Sequence, residues 1–325
     1  MTEMILRDAV AKALREALDT DDRTFLMGED IGAYGGPYAV TRGFLEEYGE
    51  DRIRDTPIAE AVFVGAGAGA AMIGMRPIVE IMTINFSLVA IDQIVNHAAK
   101  LSYMSNGQLS VPLIIRTVTG GGGQLAATHS QSFENWYASI PGLRVVVPAT
   151  PQDALGLFRT CRKDNNPVIF AEHSLLYRVR GDVPEEYYEI PLGQARIARP
   201  GKDVTIVSYS GMVRVAEEAA EKLDELGISA EVIDLRTLSP LDLETVVESV
   251  KKTNRAVVVE ETWKTGGFSG TIASNIQEAA FDDLDGPVLR INGPDVPAPY
   301  ARNIEQAMIP SADWVVESVT YNFGL

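Results

Sequence analysis

The first half of the chain alternates between apolar stripes at helical spacing and short apolar runs that suit buried strands. The stripes predict helices over 4–18, 61–75, 88–101, 132–138 and 151–163. The short runs predict strands over 24–27, 78–82, 111–118, 143–147 and 167–171. This alternation is typical of a parallel sheet that is covered by helices on both faces.

The alternation stops over residues 174–203, which have no clear period and contain three prolines. It then resumes, with strands predicted over 204–209, 230–235, 256–260 and 287–291 and helices over 213–226, 241–251 and 267–281. We therefore predict an α/β protein with two doubly wound, mostly parallel-sheet domains. The predicted domains are residues 1–175 and 204–325, joined by a linker over 176–203.

Glu60 stands at the head of the predicted helix over 61–75, which is uncharged and rich in Gly and Ala. Small residues allow close packing, so this helix is expected to be buried at an interface. A buried carboxylate is costly unless something uses it, and such a group can exchange protons near neutral pH. The alternatives are a first-turn acid that favours the helix dipole, or a dinucleotide fingerprint over 65–70 with Glu80 as its acid.

Two further segments contain candidate chemistry. Glu29 follows a predicted strand, where ligands bind in α/β proteins, and residues 31–37 form a glycine-containing loop that we expect to be mobile. His129 follows the four glycines 120–123. A solvated loop acid and a surface histidine are the alternatives for these two residues.

Composition narrows the possible partners and the compartment. The net charge of −17 argues against nucleic acid or an anionic membrane as a partner, and it fits docking on a basic protein. The single cysteine, Cys161, excludes a disulfide framework and a cysteine-rich metal site. No uncharged run reaches the roughly twenty residues that a membrane span needs. The first residues lack the features of a signal peptide, so we expect a cytoplasmic protein.

Several long motifs, in the same order along the chain, resemble the beta subunit of the thiamine-diphosphate-dependent decarboxylating component of 2-oxo acid dehydrogenase complexes. They are RIRDTPIAEA (52–61), RPIVEIMTINFS (76–87), AIDQIVNHAAK (90–100), THSQSFENWYASIPGLRVVVP (128–148), RKDNNPVIFAEHSLLY (162–177), EVIDLRTLSPLD (231–242) and EETWKTGGF (260–268). The segment MTINFSLVAIDQ (82–93) is similar to the pyruvate branch of the family. Branched-chain 2-oxo acid and acetoin dehydrogenases are the alternative branches.

The resemblance implies a transketolase-like pyrimidine-binding domain followed by a transketolase C-terminal-like domain that makes dimer and core contacts. It also implies roles for individual residues. Glu60 matches the acid that hydrogen-bonds the aminopyrimidine ring, and Ile58, Met82 and Phe86 match residues packed around that ring. His129 matches a histidine that handles protons during acyl transfer to a lipoyl group, and Glu29 matches an acid in a chain of acids and water between two active centres.

The resemblance also implies cations and partners. Leu113, Cys161, Arg162, Asp164 and Asn166 match a potassium site built mainly from backbone oxygens, although 164–167 reads equally as a plain turn. The family holds Mg²⁺ and the diphosphate through a Gly-Asp-Gly segment, which this sequence lacks. We therefore expect an alpha subunit to hold Mg²⁺, in a heterotetramer of two alpha and two beta chains docked on a lipoyl acyltransferase core. A non-catalytic scaffold subunit is a further alternative.

Overall fold

The structure, a computed structural model, describes residues 1–324. The chain separates into two compact units. The first contains Met1–Thr119 and Trp136–Leu192, and the second contains Gly120–Asn135 and the chain from Gly193 onward. The segment with the four glycines and His129 therefore groups with the second unit, whereas the predicted first domain spans 1–175 without interruption.

Strands and helices alternate through the first unit. They are β1 (Thr2–Ile5), α1 (Leu6–Thr20), β2 (Thr24–Gly28), α2 (Phe44–Tyr48), β3 (Ile53–Asp55), α3 (Glu60–Met72), β4 (Arg76–Ile81), α4 (Leu101–Met104), β5 (Ile114–Thr119), α5 (Glu134–Ala138, which begins in the second unit), β6 (Arg144–Val146), α6 (Pro151–Cys161), β7 (Val168–His173) and β8 (Arg180–Val183). Strands β3-β2-β4-β5-β7-β6 lie side by side in that order, all parallel.

The main core of the first unit forms where α1 packs against α6 over the sheet. Helix α1 buries Ala9, Val10, Ala13, Leu14, Ala17 and Leu18, the same stripe that its sequence period indicates. The predicted α/β class with mostly parallel sheets is confirmed.

Two parts of the first unit differ from the sequence-based expectation. The predicted linker contains β8, which pairs antiparallel with β1. The single helix expected over 88–101 is instead a 3₁₀ helix (Ile84–Ala90), a π-helix (Gln93–Ala98) and the short α4. Because the helical twist changes along this stretch, Ala90, Ile94 and Ala98 are buried, while Leu88 and Ile91 are exposed.

The second unit contains a smaller sheet. It has the four strands and three helices that the sequence predicts, together with elements that the sequence does not predict. Its elements are β9 (Arg196–Arg199), β10 (Val204–Ser208), α7 (Met212–Glu225), β11 (Ala230–Asp234), β12 (Thr237–Ser239), α8 (Leu243–Thr253), β13 (Ala256–Trp263), α9 (Phe268–Ala280), β14 (Leu289–Gly293), α10 (Arg302–Met308) and α11 (Ala312–Phe323). The sheet order is β14-β13-β10-β11-β9, with only β9 antiparallel among these described strands.

The edge strand β9 and the helices α10 and α11 are additions that the sequence analysis does not predict; α11 packs against α7. Within residues 1–324, no helix is both long and apolar enough to cross a membrane.

Candidate active site

The predicted cofactor residues of the first unit follow three neighbouring parallel strands. Glu29 comes directly after β2, Glu60 begins α3 shortly after β3, and Met82 follows β4. Strands β3, β2 and β4 are adjacent and parallel, so their carboxyl ends lie along one edge of the sheet. Ligands of open α/β sheets bind at such an edge.

Glu29 and Glu60 form a pair of buried carboxyl groups, each about 5% exposed. One oxygen of Glu29, Oε1, is buried without a hydrogen-bond partner among the described residues. Burial, together with the nearby Glu60 and Asp30 carboxylates, raises the pKa of Glu29 to about 7. The carboxyl group of Glu29 therefore exchanges its proton near neutral pH.

The apolar surroundings of Glu60 differ from the expectation. Met82 and Phe86 are half-buried, but Ile58 is 81% exposed and Val62 is 71% exposed. Ile58 and Val62 therefore do not enclose Glu60 within this chain, and the packing of Ile58 around the aminopyrimidine ring stays a prediction. Its side chain remains available to another surface.

A buried ionic network that the sequence analysis missed spans three central strands. Arg116 on β5 forms ion pairs with Glu80 on β4 and with Glu172 on β7, where Arg116 Nη2 lies 2.9 Å from Glu172 Oε2. The Tyr177 hydroxyl donates to the same Glu172 oxygen at 2.7 Å. Burial raises the pKa of Glu80, and Arg116 opposes that shift. Single charges inside apolar strand runs, as in PIVEIM and LIIRTV, are the signal that could have revealed this network.

The loop after Glu29 rests on this network. The Tyr38 ring lies 5.2 Å from the Tyr177 ring, centroid to centroid, and a Cβ on Gly36 would lie 3.7 Å from Glu80 Oε1. The loop is closed by the Gly36 N–H, which donates to the Asp30 carbonyl at 2.8 Å. The loop over 31–37, which we expect to be mobile, therefore has backbone hydrogen bonds, and Tyr38 directly after it has a ring contact.

The glycines at 65–70 lie inside α3, so the dinucleotide interpretation is wrong. That fingerprint requires the glycines in a turn between a strand and a helix. A Cβ on Gly67 would lie 2.6 Å from Val79 Cγ2 on β4, which shows that this glycine allows the helix to pack closely on the sheet. Glu80, the acid of that interpretation, is paired with Arg116.

His129 belongs to the second unit and is exposed. Its N–H donates to the Ala126 carbonyl at 3.2 Å, and its ring Nδ1 lies 3.0 Å from Thr128 Oγ1. The backbone bond to Ala126 links the position of the histidine to the conformation of the glycine segment before it.

The predicted potassium residues meet at the loop after α6. Asp164 Oδ1 accepts from the backbone and side-chain nitrogens of Asn166 at 2.9 and 2.6 Å. The carbonyls of Arg162 and Asp164 both accept from Arg76 Nη1, at 2.9 and 3.1 Å. The Arg76 guanidinium group thus already binds the carbonyl oxygens of two residues that are predicted to bind potassium.

The remaining predicted ligands have backbone partners of their own. The Leu113 carbonyl accepts from Val168 N–H at 2.9 Å, and the Cys161 carbonyl accepts from Asp164 N–H at 3.1 Å. Burial raises the pKa of the Cys161 thiol well above its usual range, so this cysteine is a neutral core side chain.

Comparison with known proteins identifies the family. Residues 2–180 match the transketolase pyrimidine binding domain, and residues 193–315 match the transketolase C-terminal domain. The mitochondrial pyruvate dehydrogenase E1 component subunit beta-1 of Arabidopsis thaliana is 48% identical over 320 residues, which cover 97% of this chain and 88% of that protein. The chain belongs to the family of pyruvate dehydrogenase E1 beta subunits.

A bacterial member of this E1 beta family supports the same assignment. The pyruvate dehydrogenase E1 component subunit beta of Rickettsia felis is 48% identical over 317 residues, covering 98% of this chain and 97% of its own. A solved structure described as a split-gene transketolase in an inactive beta4 tetramer has a TM-score of 0.79 at 24% identity, covering 99% of each chain, and shows the shared fold. Membership of the E1 beta family implies thiamine diphosphate as cofactor and an alpha subunit as partner.

The residues of the first unit fit the aminopyrimidine part of this cofactor. Glu60 is a buried acid at a ligand-binding sheet edge, Glu29 Oε1 lacks a partner among the described residues, and Met82 offers a half-buried apolar side chain. A ring with both hydrogen-bonding nitrogens and an apolar face matches this set of groups.

Proposed function

We propose that this chain is the beta subunit of a pyruvate-decarboxylating E1 component. Together with an alpha subunit it decarboxylates pyruvate and passes the acyl group to the lipoyl group of an acyltransferase core, which leads to acetyl-CoA. The observation that carries the proposal is the buried pair of Glu60 and Glu29 at the carboxyl edge of the sheet. The names of the similar E1 beta subunits support pyruvate as the substrate.

Thiamine diphosphate supplies the carbon nucleophile and electron sink for decarboxylation when it is bound. Glu60 would hold a proton against the ring nitrogen of the aminopyrimidine, and Met82 and Phe86 would orient that ring and exclude water. Glu29, which titrates near neutral pH, would provide a second carboxyl group for proton exchange with Glu60. His129 would handle protons while the acyl group moves to the lipoyl arm.

The proposal assigns Mg²⁺ and the cofactor diphosphate to the alpha subunit. The ground for this assignment is that the sequence lacks the Gly-Asp-Gly segment through which the family holds Mg²⁺. Potassium at the loop of Asp164 and Asn166 is part of the proposal as a structural cation. The proposed assembly has two alpha and two beta chains on a lipoyl acyltransferase core, and the net charge of −17 favours a basic docking surface on that core. A cytoplasmic location stays a prediction.

Glu60→Gln tests the proposed role of the acid. In the complex reconstituted with an alpha subunit, CO₂ release from pyruvate should fall by about two to four orders of magnitude, because an amide cannot exchange the proton. The matched control is Glu244→Gln, which removes an exposed first-turn acid from α8 and should leave turnover unchanged. A Glu60→Gln complex that keeps more than about a tenth of wild-type turnover would contradict the proposal.

The substrate is tested by comparing turnover of pyruvate and 3-methyl-2-oxobutanoate by the same complex. A higher kcat/KM for pyruvate is expected. A preference for the branched substrate would move the chain to the branched-chain dehydrogenases and leave the proposed role of Glu60 intact.

A further inference from the structure

The glycine loop, defined as residues 120–126, is attached by its backbone to two carboxylates that lie far away in sequence. The Gly121 N–H donates to Glu261 Oε1 at 2.5 Å. The Gly122 and Gln124 N–H groups donate to the two oxygens of Glu305, at 3.1 and 3.0 Å. All of these residues belong to the second unit.

Glu305 accepts two backbone hydrogen bonds from this loop. It lies on α10, is only 2% exposed, and each of its two oxygens accepts one backbone N–H from the loop. A carboxylate buried to this degree is strongly unfavourable unless hydrogen bonds compensate for its lost hydration. The glycine loop supplies those bonds, so the loop and Glu305 stabilise each other.

The backbone of the glycine loop has an unfavourable conformation that contacts with other residues must stabilise. Gly120 and Gly122 have φ values of 93° and 84°, and the non-glycine residues Gln124 and Ala126 have φ values of 57° and 62°. Left-handed backbone at a non-glycine residue costs about 1–2 kcal/mol and persists where surrounding contacts hold it.

Side-chain packing on one side of the glycine loop is limited by a cavity. A cavity of about 460 Å³ is lined by Gly121, Glu261 and Glu305 together with Trp263 and Met308. Because open space adjoins the loop at Gly121, the hydrogen bonds to Glu261 and Glu305 contribute strongly to fixing its conformation on this side.

We propose that Glu305, assisted by Glu261, is a positioning residue for His129. It holds the glycine loop, whose last residue, Ala126, accepts the backbone hydrogen bond of His129. The inference rests on the proposed role of His129 in acyl transfer. Neither carboxylate takes part in the chemistry itself.

The direct test is hydrogen–deuterium exchange of the glycine loop in the reconstituted alpha–beta complex carrying Glu305→Gln. The amide presents a donor to one of the two N–H groups, so that hydrogen bond is lost. Exchange of the loop amides should become about tenfold to a hundredfold faster, the effect expected for losing a hydrogen bond to a charged group. The control Glu278→Gln makes the same charge change at an exposed position of the second unit and should leave exchange unchanged.

The functional test compares acylation of a lipoyl domain with pyruvate decarboxylation measured by a dye acceptor. Glu305→Gln should slow acylation about tenfold and decarboxylation less, whereas a general loss of folded protein would lower both equally. In a His129→Ala background, Glu305→Gln should cause no further loss of acylation, because the residue that it positions is gone.

Unchanged exchange in Glu305→Gln would overturn the inference, and so would an equal further loss in the His129→Ala background. If Glu305→Gln does not fold, Glu261→Gln is measured in its place with the same expected changes. A wild-type complex that does not decarboxylate pyruvate would refute the proposed function instead, and the exchange measurement would still report whether Glu305 holds the loop.

Discussion

At the scale of single residues, Glu29 couples folding to pH. Its pKa is raised from 4.5 to about 7 by burial first and then by the Glu60 and Asp30 carboxylates. The folded chain therefore binds more protons than the unfolded chain between these two pH values. The contribution of the Glu29 carboxyl to the free energy of unfolding is therefore greatest below pH 4.5. This contribution is lost as the pH rises to about 7.

Glu29→Gln should remove this contribution to the pH dependence. Wild-type protein should lose up to about 3 kcal/mol of unfolding free energy over that pH range through this group, because one pKa unit corresponds to about 1.4 kcal/mol. The variant should show a correspondingly flatter profile in urea unfolding followed from about pH 5 to about pH 8. Parallel profiles for the two proteins would show that the Glu29 carboxyl has an ordinary pKa.

At the scale of elements, the first backbone N–H groups of helix α9 donate to a carboxylate on a neighbouring strand. Glu260 on β13 is fully buried. Its two oxygens accept from the Phe268 and Ser269 N–H groups at 2.8 and 2.9 Å, and they also accept from Tyr209 Oη and Asn292 Nδ2. The negative charge satisfies the first N–H groups of the helix and lies favourably at the positive end of its dipole.

Glu260→Gln should destabilise the second unit by about 1–3 kcal/mol. The NH₂ group of the glutamine replaces one carboxylate oxygen and cannot accept a hydrogen bond from the backbone N–H groups. Thermal unfolding should show the lower midpoint, and the exposed Glu278→Gln on the same helix serves as the control. A midpoint equal to that of the control would mean that the helix start does not depend on the charge.

The loop after α6 gives an element-scale test of the proposed cation. Replacing potassium by a bulky organic cation should lower the unfolding midpoint, with a size set by the ratio of ion concentration to Kd. Arg76 already donates to the Arg162 and Asp164 carbonyls, so part of the cationic stabilisation will remain. Identical midpoints in the two salts would favour the plain turn.

The sequence predicts long elements and misses short or irregular ones. Helix α7 is predicted to within one residue at each end, because its buried residues repeat every three or four positions. Strands β1 and β8 have four residues each, too few to show a period, and their pairing joins distant parts of the chain. The π-helix over Gln93–Ala98 shifts the buried face in a way that a uniform helical period does not describe.

The same contrast holds in the candidate site. The burial of Glu60 can be predicted because a single acid before a long uncharged run is visible in the sequence. The attachment of the glycine loop cannot, because it uses backbone N–H groups, and the bond from Gly122 to Glu305 joins residues 183 positions apart. The exposure of Ile58 is likewise not visible in the sequence, because an apolar residue beside a buried acid suggests an enclosed position.

At the scale of the whole molecule, the chain exposes apolar side chains near its candidate site. Ile58, Val62 and Ile73 are 81, 71 and 83% exposed. Val62 lies in α3 and Ile73 directly follows it, and their spacing of eleven residues, about three helical turns, places both on the same side of this helix. Exposed apolar groups of this kind favour association with another protein. We expect the alpha subunit to cover this face and to complete the cofactor site.

The purified chain should therefore neither bind thiamine diphosphate and Mg²⁺ tightly nor decarboxylate pyruvate by itself. Titration calorimetry of the isolated chain should show little heat, and both binding and turnover should appear when an alpha subunit is added. Tight binding or CO₂ release without a second polypeptide would refute the shared site.

The buried network of Glu80, Arg116 and Glu172 also fixes how three strands align. Glu80 and Arg116 are directly opposite each other in the register of β4 and β5, and Glu172 lies two positions beyond the partner of Arg116 on β7. Sliding any one of these strands by a single residue would turn its charge to the opposite face of the sheet and leave a buried ion without its counter-ion. The charges thus exclude misaligned sheets that the apolar residues of these strands, buried on both faces, would tolerate.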